Sequence, residues 1–118
     1  MKKVMIATLL VVLAMTGWQF GLFYRYNYVT ANVDCWKNAV CLVTTEPPDP
    51  CGARCVGLKE KYGFHEVYVG CNLSDSEMRG IDAYNAEVER YLNKRNGGNW
   101  RKKYESERNS TTEDKALK

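Results

Sequence analysis

No charged residue occurs between Val4 and Tyr24, a run of 21 residues that follows Met1-Lys2-Lys3. A stretch of ~20 apolar residues is long enough to cross a bilayer as a helix. A helix is required there, because lipid offers backbone N–H and C=O groups no partners. Lys2, Lys3 and the amino terminus precede the run, and Arg25 alone follows it closely. The positive-inside bias then leaves residues 1–3 in the cytoplasm and delivers everything beyond the run outside. Trp18, Phe20, Phe23, Tyr24, Tyr26 and Tyr28 crowd its outer end, where amphipathic rings settle at headgroup level. The competing reading is a cleaved secretory signal, with Val4–Met15 as its apolar region and Lys2-Lys3 as its basic start. Its weak point is the cleavage site: Thr16 follows Ala14-Met15, and a cut after Gly17 sets Met15 three residues before the cut. No cysteine sits just behind the apolar region, which argues against a lipoprotein. A buried helix of a soluble core fits poorly, since the run is apolar all round. Both main readings place the rest of the chain in one extracytoplasmic compartment: single-pass in the cytoplasmic (inner) membrane, or periplasmic or secreted after cleavage.

That compartment sets the expectation for sulfur. Cys35, Cys41, Cys51, Cys55 and Cys71 all lie beyond the membrane segment, in surroundings where thiols oxidise. The folded unit spans roughly residues 35–105, about 70 residues, a size at which hydrophobic burial alone leaves little margin and covalent staples are common. All five cysteines are therefore disulfide candidates. Cys51 and Cys55 are four apart on a predicted helix, with Cβ vectors side by side, a poor geometry for bonding each other. Each is expected to reach a different partner, drawn from Cys35, Cys41 and Cys71. One of the five remains over, free or open to a bond between two copies. A Cys₃His zinc site from Cys51, Cys55, Cys71 and His65 is the sharper alternative, but its spacing matches zinc knuckles poorly. Neither Cys-x-x-Cys nor Cys-x-x-Cys-His occurs, so thioredoxin-like redox chemistry and c-type haem attachment have no motif here.

The organisation expected along the chain is a basic start (1–3), the anchor or signal (4–24), a juxtamembrane segment (25–34), a cysteine-rich domain (35–108) and a disordered polar tail (109–118). Tyr28, Thr30 and Val33 favour extended structure, weakened by Asn27 and Asn32. Ala39–Thr44 is a short apolar run, either a buried strand or a helical turn. Three prolines within Glu46–Pro50 break any element. Asp49 as N-cap and Pro50 at the first helical position predict a helix from Pro50 to about Tyr62, stopped by Gly63. Phe64–Cys71 suits a strand. Ser74-Asp75-Ser76-Glu77 matches a capping box, and Met78, Ile81, Tyr84, Val88, Tyr91 and Leu92 recur at helical spacing as the core face of a helix over 75–95. Acidic residues early in that helix and Lys94-Arg95 late in it complement the dipole, and Asn96-Gly97-Gly98 ends it. A further short helix over Asn99 to about Arg108 carries Trp100 and Tyr104.

Set without Lys2 and Lys3, the chain holds 15 basic residues against 14 acidic (17 less 2, against 14). So balanced a domain is a poor nucleic-acid binder, because that affinity comes from neutralising many phosphates. Trp100, Arg101, Lys102, Lys103 and Tyr104 form a basic, aromatic end that can touch anionic headgroups or an acidic partner. The plainer reading is a solvated helix face with both rings packed inward. His65 is the only histidine, and Glu66 beside it on a strand points to the opposite face, so a general base is not indicated. Asn72-Leu73-Ser74 and Asn109-Ser110-Thr111 match the short glycosylation pattern.

Cys35-Trp36, Cys41-Leu42 and Pro50-Cys51 together resemble small cysteine-rich periplasmic proteins of conjugative systems. The likeness spans 35–51, 17 residues of 118, and carries no functional residue over. The expected fold is α+β: an anchoring helix, then a small disulfide-stapled domain with two main helices and short strands. The expected role is non-enzymatic and cofactor-free, a membrane-anchored module contacting an envelope protein, with conjugation or phage accessories as its mobile-element versions. A secreted inhibitor or binding protein is the first alternative, and a redox or metal protein built on Cys51, Cys55 and Cys71 the second.

Overall fold

A computed structural model of the chain describes residues 1–47 and 51–116. Its elements are α1 (Lys2–Gln19), α2 (Tyr28–Trp36), β1 (Cys41–Thr44), α3 (Ala53–Tyr62), β2 (His65–Tyr68), α4 (Asp75–Asn96) and α5 (Trp100–Ala116). The architecture is mixed α+β and mostly helical: among the described residues four helices follow α1, where two main helices and a further short one were expected, together with two short strands.

α1 has 18 residues, about 27 Å at the helical rise, against a hydrocarbon core of about 30 Å. Only Gly17 in it is buried. The helix takes in Lys2 and Lys3 and ends at Gln19, short of the expected boundary at 24. Gly21 ends it: at φ +68° it adopts the left-handed conformation, its N–H donates to the Trp18 carbonyl, and the Leu22 N–H donates to that of Gly17. This is the Schellman arrangement that glycine favours. Residues beyond it turn back, so that a Cβ on Gly17 would meet the Phe23 ring at 3.4 Å.

The juxtamembrane segment is helical where extended structure was the expectation. Asn27 is the reason. Its side chain accepts the Thr30 N–H and the Thr30 hydroxyl accepts the Asn27 N–H, both at 3.0 Å, a reciprocal cap. The Asn27 amide also donates to the Leu22 and Tyr24 carbonyls at 3.3 and 2.8 Å, fastening the linker to the helix start. On the other side, Arg79 Nε donates to the Gln19 carbonyl at 2.7 Å. Gly21 and Gly80 meet backbone to backbone: a Cβ on Gly21 would fall 2.3 Å from the Ser76 oxygen, and one on Gly80 2.6 Å from that of Tyr26. The end of α1 is thus seated on α4.

β1 and β2 pair in parallel, Cys41 opposite His65 through Thr44 opposite Tyr68, with α3 as the crossover between them. The Ala39–Thr44 run resolves to a strand, and Gly63 at φ +89° closes α3 as its C-cap. Helix α3 begins at Ala53 with Gly52 as N-cap; the expected cap Asp49 and first-turn Pro50 lie outside the described residues. Helix α4 follows the expectation, with Ser74 and Glu77 capping each other's backbones at 3.2 and 2.9 Å. Ile81, Tyr84, Val88 and Leu92 are buried on its core face, while Met78 and Tyr91 are half-buried at the margin.

Helix α5 runs to Ala116, whereas a disordered tail from Asn109 was expected. The hydroxyls of Ser110, Thr111 and Thr112 bond the carbonyls one turn back, so polar side chains there accommodate the helix. Trp100 and Tyr104 from α5 join Tyr62 and Phe64 in an aromatic cluster with ring centroids 5.4–6.3 Å apart. This cluster couples the crossover unit to the C-terminal helix. Ala31, Val43, Tyr84 and Val88 fill the other half of the core, between α2, β1 and α4.

Candidate functional site

Three features concentrate chemistry. The first is a polar chain at the buried face of α2. Arg25 donates to Asp34 Oδ2 at 3.0 Å, Tyr84 donates to the same oxygen at 2.7 Å, and Cys41 Sγ lies 3.3 Å from the Tyr84 oxygen. Burial works against the Asp34 carboxylate, but the bonds from Tyr84 and Arg25 outweigh it and hold the group below its ordinary range. Burial pushes Tyr84 far up, and its bonds to Cys41 and Asp34 add to this. Arg25 is held charged by Asp34. The chain has every member partnered and none poised to exchange a proton near neutrality, the pattern of a structural network.

The second is the cysteines. Cys51 and Cys55 stand at disulfide distance, with Cα atoms 5.6 Å apart, inside the bridging range. The expectation that each reaches a different partner across the fold is therefore corrected. It assumed both on one helix, but Cys51 precedes the N-cap Gly52, which turns at φ +55° and brings the two together. Cys35, Cys41 and Cys71 are unpaired. Burial raises the Cys35 and Cys41 thiols, which makes both poor nucleophiles. Cys71 is exposed. Among the described residues no three His, Cys, Asp or Glu side chains gather as a metal set, so Cys51, Cys55, Cys71 and His65 do not converge.

The third is the edge of the small sheet. On the outer side of β1, Val43 N–H donates to Asn85 Oδ1 at 2.9 Å and Asn85 Nδ2 donates to the Val43 carbonyl at 2.8 Å. One side chain from α4 thereby occupies the place of a neighbouring strand. On β2, His65 and Val69 turn their N–H groups to Val40 and Thr44. Glu66 and Tyr68 consequently face the other way, and among the described residues nothing bonds their backbones. Along this open edge runs a groove of about 300 Å³ bordered by Glu46, Val56, Lys59, His65, Glu66 and Tyr68. His65 and Glu66 both border it, although they alternate on the strand, because the groove lies along the edge. Lys59, buried at its side, pairs with Glu66 at 3.4 Å. An open edge with side-chain recesses beside it is the geometry that accepts an added peptide strand. No sequence signal marks it, since it exists only once the register of β1 on β2 is fixed.

The basic C-terminal end divides. Trp100 and Tyr104 are 1% and 3% exposed, so neither ring reaches a surface. Lys102 and Lys103 are exposed. Arg101 lies 4.8 Å over the Trp100 ring and pairs with Glu89. Asn72 is exposed, and Asn109 is exposed on α5 rather than on a tail. No family model, no curated protein and no solved structure matches the chain.

Proposed function

We propose that the chain is a non-enzymatic, membrane-anchored interaction protein of the cell envelope, its domain facing the periplasm or cell exterior. The observation that carries this is α1: 18 residues, with no charge after Lys3, apolar on every side and exposed except at Gly17. A helix of that kind has no stable place in water. Retention is supported by its far end, where the Schellman turn, the Arg79 bond and the glycine contact join it to the folded domain. The groove along the open edge of β2 is the surface through which this domain engages a protein partner.

Washing membranes with alkaline carbonate, then weighing the intact protein, tests the anchor. A full-length chain that stays in the membrane fraction is the expected result, with a reporter fused after Lys118 active only outside the cytoplasm. A soluble product lighter by about 1.8 kDa, the mass of residues 1–17, favours the secreted binding protein instead. One observation speaks for that second reading: the buried core draws on no side chain of α1.

A further inference from the structure

Helix α2 is inverted relative to an ordinary surface helix. At 100° per residue, Ala31, Asp34 and Cys35 lie on one side, and Val29, Val33 and Trp36 on the other. The first set packs against α4: Ala31 is fully buried and Asp34 bonds Tyr84. The second set faces away from the protein, with Val29 56%, Val33 42% and Trp36 83% exposed. The pole that should be polar is apolar, and it carries one of the three tryptophans of the chain. An apolar stripe so placed marks a contact surface.

The chain indicates what covers it. Eight residues, 20–27, separate α1 from α2, and they fold back instead of leading away. Phe23 lies along Gly17, and Asn27 ties the start of α2 to the carbonyls of Leu22 and Tyr24. Trp18, Phe20, Leu22 and Phe23 are all exposed at this junction, so exposed apolar residues recur from the end of α1 to the start of α2, with Gln19 and Arg25 the exposed polar side chains among them. We propose that α2 lies along the outer surface of the bilayer, with Val29, Val33 and Trp36 set into the boundary between headgroups and acyl chains. This rests on α1 being membrane-embedded. Tryptophan suits that depth, with an apolar ring and a polar N–H, and Lys37, exposed beside it, reaches anionic headgroups.

The test uses full-length protein in phosphatidylcholine vesicles containing one-fifth phosphatidylglycerol, with phosphatidylcholines brominated either high on the acyl chain or near its methyl end. Trp18→Phe leaves Trp36 as the reporter, Trp36→Phe leaves Trp18, and the double variant gives the background of Trp100, which stays in place to preserve the core. Loss of Trp36 emission to the shallow bromines, greater than to the deep ones, together with quenching of Trp18, is the expected result. Adding Val33→Asp, at an exposed site, should diminish the Trp36 loss. Quenching of Trp18 without quenching of Trp36 overturns the placement of α2 and leaves the anchor standing. Quenching of neither overturns both. Blue-shifted but unquenched Trp36 emission assigns the face to a protein, a second copy included, and overturns the lipid contact.

Discussion

Replacing Gly80 by alanine separates helix propensity from packing at the joint between α1 and α4. Glycine inside a helix is less favourable than alanine by about 0.8–1.0 kcal/mol, so on propensity alone the change stabilises. At Gly80 the added methyl would lie 2.6 Å from the Tyr26 carbonyl oxygen and 3.1 Å from that of Gly21. Both obstacles are backbone, so no side chain can rotate away, and the end of α1 must move off α4. Overpacking of this kind costs about 1–3 kcal/mol, leaving a net change from near zero to about 2 kcal/mol of destabilisation once the gain of about 1 kcal/mol is subtracted. Gly57 supplies the control: it is also interior to a helix, but a Cβ there meets nothing within 4 Å. Gly57→Ala should therefore stabilise by about 0.8–1.0 kcal/mol. The two variants, unfolded by urea in detergent and followed by circular dichroism, should differ by about 1–3 kcal/mol, which is the steric term alone. If Gly80→Ala stabilises as much as Gly57→Ala, the close seating of α1 on α4 is wrong.

Tyr84→Phe removes the buried bond to the Asp34 carboxylate and should lower stability by about 1.5–3 kcal/mol, read from the urea midpoint. Because Asp34 is held below its ordinary carboxylate range when folded, its contribution is present above the unfolded value of about 3.9 and lost as pH falls through the lower folded value; the acid slope of stability should flatten in Asp34→Asn. Asn85→Ala unmakes both bonds to Val43 and should cost about 1–3 kcal/mol, with faster hydrogen exchange at the Val43 amide as the local sign. In the oxidised protein, maleimide should label exposed Cys71 first and the half-buried Cys35 and Cys41 more slowly. Cys55→Ser should destabilise by about 2 kcal/mol, the closure entropy of so short a loop, with no effect in reductant.

The parts of the fold that were legible in the sequence are those decided within one turn of chain. Ser74 and Glu77 announce the start of α4, and its buried face repeats at a helical period, so neither depends on tertiary context. Gly63 and Gly97 mark helix ends for the same reason. Helix α2 was hidden because the β-favouring side chains of Tyr28, Thr30 and Val33 outweigh, on paper, a cap in which Asn27 and Thr30 serve each other. The final turns of α5 offer no apolar face to read, only hydroxyls that bond their own helix. The Cys51–Cys55 pair turned on a shift of three residues in where α3 begins. Of the candidate site, His65 and Glu66 were visible as residues but not as the margin of a groove, since strand partnership across the whole of α3 creates that margin.

The clasp of Asn85 on Val43 has a consequence for how copies of this protein meet at high density. A ribbon with two available sides can recruit neighbours on both and extend without limit, which is how filaments begin. Here one side is sealed by a residue of the same molecule, which leaves the sheet a single side to offer a neighbour, so any recruitment through it should stop at pairs rather than extend into fibres.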